Sequence, residues 1–287
     1  MLSAGTGGSP MATRQLWSTA FASAGPSAAL IYENIMVPRL FGPWARLLLD
    51  EVGLASADAL LDVACGPGTV ARQAAAQVGP GGRVTGCDLS RAMLTVARSN
   101  PRGEASAPVE YLECPADALA VPDAAYDVVT CQHGLQFVSD RERALREMHR
   151  ALRPRGRLGV ATWCSIDECP PFAALATALA EVCGQQTAAA YRSGPWGMAD
   201  DDLAALAERA GFTDIQVSRH QLPVLFEGGL GQLLQTLATT GVATAVAELG
   251  AAGQRALATA TGEAAAPLLT DGAVRSMMAA RLMIASA

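Results

Sequence analysis

Chemistry-bearing residues concentrate where an apolar run carrying one carboxylate, Ala59-Leu60-Leu61-Asp62-Val63-Ala64, breaks into the glycine turn Cys65-Gly66-Pro67-Gly68-Thr69. Gly66 and Gly68 permit a tight turn and close approach of the backbone to a ligand. A helix opening at Thr69 would aim its N-terminal amides at that ligand. Twenty residues beyond Gly68 a second apolar run, Arg83-Val84-Thr85-Gly86-Cys87, ends in Asp88. At this spacing a second strand presents a carboxylate to ribose hydroxyls. Loop and carboxylate together predict a nucleoside pocket.

Two cofactors are compatible with that pattern. Gly66-x-Gly68-x-x-Ala71 satisfies the dinucleotide fingerprint, which keeps a nicotinamide-dependent oxidoreductase open. Asp62 weighs the other way. A carboxylate near the end of a buried strand is costly unless it meets a cation or several donors, and it would repel a pyrophosphate. The ammonium group of S-adenosylmethionine supplies such a cation. Loop amides are the other means of satisfying Asp62.

Elements able to hold this pocket follow from periodicity. Strands and helices alternate as strand 59–64, helix 69–78, strand 83–88, helix 90–99, strands 109–113 and 126–132, helix 140–152 and strand 157–163. This is the pattern of an α/β, doubly wound Rossmann-like sheet. It is expected to be mostly parallel with an antiparallel last strand, plus helical lid and cap elements. Ser139 with Glu142 reads as a capping box for the helix at 140–152. Before the sheet, helical spacing from Ser27 to Val52 is interrupted at Pro38 and Pro43, which predicts two or three short helices.

The domain organisation expected is a disordered tail at 1–12, a helical lid at 13–55 and a cofactor-binding core at 56–165. A lid segment at 166–199 includes an Ala/Leu-rich helix at 172–183 and a loop from Tyr191 to Met198. The core resumes at 200–226 with helix Asp200 to Ala210 and strand 213–222. A helical insertion at 227–270 serves as cap or dimer contact, and the closing strand falls in 271–287.

Composition narrows the chemistry. The 287 residues carry a net charge of −6, and all 21 basic residues are arginines. Without lysine there is no pyridoxal Schiff base and no phosphate-loop lysine. An acidic chain disfavours nucleic acid. The arginine-rich stretch from Arg141 to Arg157 is interleaved with Glu142 and Glu147, which suits an ordinary charged helix face. Seven scattered cysteines read as free thiols of a reducing cytosol, and the three histidines have no metal-ligand spacing, so no metal is expected. With neither a leader-like nor a membrane-spanning segment, the expectation is a cytoplasmic monomer or homodimer acting on a small molecule without membrane contact.

The residues from about 30 to 163 resemble class I S-adenosylmethionine-dependent methyltransferases, closest to the type 11, ubiquinone/menaquinone-biosynthesis-like small-molecule subgroup. Leu61-Asp62-Val63-Ala64-Cys65-Gly66-Pro67-Gly68-Thr69 is similar to the first family motif. Asp88-Leu89-Ser90-x-x-Met93-Leu94 is similar to the second, in which the acid holds the ribose and the apolar side chains flank the adenine. Cys114-Pro115-Ala116-Asp117-Ala118 resembles the segment whose Asp faces the adenine amino group, with Pro115 where Gly is usual. The run from Tyr126 through Gln132, His133 and Gln136 to Phe137 looks like the fourth-strand motif. Leu152-Arg153-Pro154-Arg155-Gly156 looks like the turn before the fifth strand, with Arg155 in place of a common Gly. The resemblance implies S-adenosylmethionine as cofactor, S-adenosylhomocysteine as product, and contacts from Asp62, Ala64, Gly66, Pro67, Gly68, Asp88, Leu89, Met93, Asp117, Ala118, Gln132 and His133.

Methyl transfer needs alignment and exclusion of water more than dedicated catalytic groups. Where the acceptor must lose a proton, His133, just past the fourth strand, is the candidate base. Contact with the loop backbone or with the methionine end of the cofactor is its alternative role. Tyr32, Gln136, Trp163, Tyr191 and Trp196 are expected to bind the acceptor, with Tyr32 closing over the cofactor; Phe41 and Trp44 are further candidate walls of the acceptor chamber, with core packing as their default. The expected reaction is methyl transfer to O, N or C of a small apolar or aromatic metabolite in biosynthesis. The competing readings are the oxidoreductase, a cofactor-binding cyclase or rearrangement catalyst that transfers no methyl, and a non-catalytic partner subunit.

Overall fold

Five apolar runs pair into the parallel body of one sheet. Strand β1 (Ala59–Val63) is buried at every position, as a central strand covered on both faces must be. It lies parallel between β2 (Arg83–Asp88) and β4 (Tyr126–Gln132), with Leu61 opposite both Thr85 and Val129. β3 (Val109–Glu113) flanks β2 and β5 (Leu152–Trp163) flanks β4, both parallel. β6 (Thr213–Phe226), the two-residue β7 (Leu269–Thr270) and β8 (Ala273–Ser286) complete an eight-stranded sheet ordered β3-β2-β1-β4-β5-β8-β6, with β7 paired to β8. β8 runs antiparallel between β5 and β6, the orientation expected of the last strand. Strand order reverses between β1 and β4. A crevice therefore opens at their carboxyl ends, the usual ligand position in such sheets.

The computed structural model describes residues 25–101 and 103–287. The expected tail at 1–12 and the start of the helical lid at 13–24 lie outside the described residues. From Pro26 the chain is helical without a break to Glu51, through α1 (Pro26–Ile31), a π-helical stretch (Tyr32–Phe41) and α2 (Gly42–Glu51). The interruption expected at Pro38 does not occur. A proline ring collides with the preceding turn of an α-helix and removes a donor, and the wider π turn accommodates it. Pro43 follows at the junction where the π-helical stretch passes into α2.

Helices α3 (Thr69–Val78) and α4 (Arg91–Ser99) follow β1 and β2, and α5 (Arg141–Ala151) connects β4 to β5. The cap of α5 is Asp140, whose carboxylate accepts the Arg143 N–H at 2.9 Å, so Ser139 does not take the expected capping role. β5 begins at Leu152, five residues before the expected start, because Arg155 N–H and Gly156 C=O pair with the main chain of Ala287. β6 likewise outruns its expected span of 213–222, pairing with β8 from Thr213 opposite Ser286 to Phe226 opposite Val274, while β8 falls within the expected 271–287. On α5, Arg143 and Arg146 are exposed, and Arg146 pairs with Glu142 while the half-buried Arg150 pairs with Glu147 and Asp123.

Beyond β5 come α6 (Pro170–Val182), α7 (Gln185–Arg192) and α8 (Asp200–Arg209), then α9 (Gly229–Gln235), α10 (Ala243–Ala247) and α11 (Ala251–Ala264) after β6. Tyr191 thus lies on a helix where a loop is expected, and the insertion is helical as its composition predicts. One apolar cluster joins Leu40, Trp44, Trp163, Phe172, Leu179 and Leu257, so the entry helices, lid helices and insertion share a core over one end of the sheet. Leu145, Met148, Leu203 and Phe212 fill a second core on the α5 and α8 side.

Candidate functional site

The crevice is a cavity of about 280 Å³. Its floor is built by main-chain bonds. Gly66 (φ 53°) and Gly68 (φ 80°) occupy the left-handed region, and a Cβ on Gly68 would stand 2.3 Å from the Tyr111 hydroxyl. Asp88 sits across from this turn, one carboxylate oxygen accepting the Gly66 N–H at 2.8 Å and the other the Ser90 N–H at 2.8 Å. Burial raises its pKa, while those two amides hold it down. Asp88 therefore fixes the loop and keeps oxygen lone pairs at the cavity wall, where a pair of vicinal hydroxyls would meet them.

Leu89 and Met93 line the wall beside Asp88, and Cys114, Pro115, Ala116 and Asp117 continue it past β3. At the tip of β4, Gln132 lines the cavity while its amide donates to the Phe41 carbonyl at 2.9 Å, tying the entry helices to the sheet. Ala64 (φ 56°) and His133 (φ 52°) are both in the left-handed region, and a Cβ on Gly134 would fall 2.5 Å from the Ala64 Cβ. Strained backbone of this kind, at the ends of the two strands bordering the crevice, is characteristic of functional loops. Glu33 of the entry helices pairs with Arg72 of α3 at 2.8 Å, and Arg72 also donates to the Pro67 carbonyl.

The opposite side of the cavity is aromatic. Tyr32 stacks on Phe41 with centroids 4.6 Å apart, and His133 stacks on Trp163 at 3.7 Å with planes 6° apart. Phe41 and Trp44 approach His133 edge-on at 5.8 and 6.0 Å. Phe172 and Trp196 meet at 5.3 Å. Burial pushes the His133 imidazole down to about 3, so the ring is neutral, and both of its nitrogens are covered and without a hydrogen-bond partner. Burial likewise raises Tyr32 and Tyr191, with the Asp88 carboxylate adding to the effect at Tyr32.

The expected residues divide accordingly. Tyr32, Ala64, Gly66, Asp88, Leu89 and Met93 line the cavity, as do Asp117, Gln132, His133, Trp163, Tyr191 and Trp196. Asp62 is not on the wall. It lies behind the glycine turn, accepting the Ala71 N–H at 3.2 Å and the Thr130 hydroxyl at 3.1 Å, and burial pushes its pKa to about 7. Pro67, Gly68 and Ala118 shape the loops without reaching the wall, and Gln136 is buried away from it. Sequence reasoning missed Met36, Leu40, Phe137, Phe172, Pro195, Thr239 and Thr240, and placed Phe41 in the core. Spacing offers no signal for them, because they belong to elements whose packing over the sheet is tertiary.

This geometry bears on the rival cofactors. A pyrophosphate requires free loop amides. Here the Gly66 N–H is held by Asp88, the Gly68 N–H by the Cys65 carbonyl and the Ala71 N–H by Asp62. Strand order, glycine turn and the carboxylate after β2 are those of the class I methyltransferase fold, and residues 61–160 match the family model described as a methyltransferase domain. Over those 100 residues the chain is similar to that family.

Two ubiquinone/menaquinone biosynthesis C-methyltransferases UbiE, from Hahella chejuensis (strain KCTC 2396) and Enterobacter sp. (strain 638), are 37% and 38% identical to it over 116 residues. The matches cover 40% of this chain and 47% and 46% of those proteins, so they span about half the length of the relatives. Among solved structures, the YcgJ protein of Bacillus subtilis superposes with a TM-score of 0.55 at 17% identity, covering 84% of this chain and 97% of that one. Phosphoethanolamine N-methyltransferase 2 of Haemonchus contortus, in complex with S-adenosyl-L-methionine, gives 0.56 at 19% identity over 94% of this chain and 56% of that one. The [4+2]-cyclase SpnF gives 0.50 at 21% identity over 85% and 80%. At these identities the structural likeness is one of fold. No helix among the described residues is long and apolar enough to cross a membrane.

Proposed function

We propose that the protein transfers the methyl group of S-adenosylmethionine to a small-molecule acceptor in the aromatic part of the cavity. The observation that carries this reading is Asp88, which closes the glycine turn through Gly66 and still lines the cavity. The residues fit the group: Asp88 for the ribose hydroxyls, Leu89 and Met93 for the adenine faces, and Asp117 for the adenine amino group. When bound, the cofactor supplies an electrophilic methyl on a cationic sulfur. The chain's contribution is to orient the acceptor against it and keep water out, with the entry helices, the 166–199 segment and the 227–270 insertion acting as the cover. Thr239 and Thr240 of the insertion line the cavity, which favours a cap over a dimer contact.

His133 is neutral and walled by rings, an arrangement that suits shaping the acceptor pocket better than receiving a proton. A cyclase or rearrangement catalyst that retains the cofactor unconsumed is the second reading, since it too needs no proton acceptor at His133, whose nitrogens are covered. Calorimetry with S-adenosylhomocysteine and NADH separates the cofactor classes: the homocysteine product binds and NADH does not, and the reverse overturns the proposal. Mass spectrometry of the small-molecule product then separates the two remaining readings, since transfer adds one methyl unit and rearrangement leaves the mass unchanged.

A further inference from the structure

The two ends of the cavity differ in charge. Among the described residues, the charged ones that line it are Asp88 and Asp117, both at the cofactor end, and no arginine lines it. The arginines on the surrounding elements are committed elsewhere: Arg39 to Glu227 at 2.9 Å, Arg72 to Glu33 at 2.8 Å, and Arg192 to Asp167 at 3.2 Å. The acceptor end is walled by Phe41, Trp163, Phe172, Tyr191 and Trp196, with Tyr32 between these rings and Asp88. Two of its surfaces are parallel stacks, Tyr32 on Phe41 with planes 9° apart and His133 on Trp163 with planes 6° apart.

We infer that the acceptor is an uncharged, flat, aromatic molecule, and that the site rejects its anionic analogues. This rests on the methyltransferase reading and names the substrate class within it. In the S-adenosylhomocysteine complex, whose sulfur is uncharged, an anion entering the acceptor end would lose its hydration without meeting a cationic side chain among the described residues, and would face the field of Asp88 and Asp117. An unpaired buried charge of this kind costs several kcal/mol. A flat aromatic molecule, by contrast, gains area and offset stacking against rings already held in place. His133 adds no countercharge, because desolvation keeps its ring neutral. The hydroxyls nearest the insertion, Thr239 and Thr240, donate to the carbonyls of Thr236 and Leu237, which leaves them as neutral acceptors at the wall.

The test uses the full chain saturated with S-adenosylhomocysteine and three probes of one ring system: 2-naphthol, 2-naphthoate and 2-naphthylmethylammonium. Calorimetry at neutral pH is expected to show 2-naphthol binding at least tenfold more tightly than 2-naphthoate. Thr240→Arg, which places a cation on the cavity wall, is expected to raise 2-naphthoate affinity at least tenfold while S-adenosylhomocysteine still binds, which also certifies that the variant is folded. Equal or tighter binding of 2-naphthoate by the unsubstituted protein overturns the inference, as does preferred binding of the ammonium probe. Binding of S-adenosylhomocysteine with none of the probes bound overturns it too. Failure of S-adenosylhomocysteine itself to bind overturns the methyltransferase reading instead, so the two failures are distinguishable.

Discussion

The two ends of the cavity are built by different means. At the cofactor end, backbone does the work: the turn at Gly66 to Gly68 is locked by amide bonds to Asp88, Cys65 and Asp62, and each lock joins residues close in sequence or on neighbouring strands. At the acceptor end, side chains from four separate stretches meet: the π-helical entry, the tip of β4, the segment after β5 and the insertion. Backbone chemistry tolerates few residue types, so it repeats across proteins that share the fold. A packed aromatic wall accepts many solutions, so it is free to differ with the substrate. The domain match at 61–160 accordingly encloses the floor and stops short of Trp163.

The sharpest way to break this division is to remove one group from each end. Asp88→Ala deletes a carboxylate that holds two loop amides, and charge-assisted bonds of that kind contribute about 1.5–3 kcal/mol each. Affinity for S-adenosylhomocysteine by calorimetry should fall by roughly 100-fold or more, since 1.4 kcal/mol is a factor of ten. Phe172→Leu, a volume-sparing change at the other end, should leave that affinity within about threefold while weakening 2-naphthol. Equal losses of S-adenosylhomocysteine in both variants would mean that the cavity is one energetic unit.

Asp62 sharpens the comparison from beneath the floor. Burial raises its pKa to about 7, against about 3.9 for an unfolded chain, so the folded state holds the proton more tightly. Its contribution to stability is therefore complete below pH 4 and is lost as pH rises through 7. Asp62→Asn has no ionised form. Its Oδ1 can still accept the Ala71 N–H, and its amide can donate to the Thr130 hydroxyl in reversed polarity. The melting temperature of the variant relative to the unsubstituted protein should climb between pH 5 and pH 8, by an amount corresponding to about 2–4 kcal/mol. A difference that stays flat across that range would show that Asp62 is already ionised and paired in the folded protein.

How much of this was legible in the sequence follows the same line. The sheet, the turn and Asp88 could be read because a period of two, a glycine pair and a fixed spacing are local signals. Asp62 was read as facing the cofactor because its charge was visible, while Thr130, its hydrogen-bond partner, lies 68 residues away on β4. Phe41 looked like core, and it is buried, yet one face of its ring stacks on Tyr32 at the cavity. Periodicity distinguishes apolar from polar faces. It does not distinguish an apolar face packed on protein from one that walls a ligand.

The smallest expected effect lies in the scaffold that both ends share. Arg155 stands where this type of domain commonly has Gly, and its φ of 67° explains why Gly suits the position. A residue with a Cβ pays about 1–2 kcal/mol for that conformation, whereas Gly gives back about 0.5–1 kcal/mol through the entropy of the unfolded chain. Arg155→Gly should therefore stabilise the protein by about 0.5 kcal/mol, a rise of roughly 1–2 °C in melting temperature for a domain of this size. Arg155→Ala keeps the Cβ and should give no gain. Equal gains from Gly and Ala would assign the effect to the arginine's charge. Because Arg155 lies in the turn that pairs with Ala287, remote from the cavity lining, neither substitution should alter the affinity for S-adenosylhomocysteine or 2-naphthol.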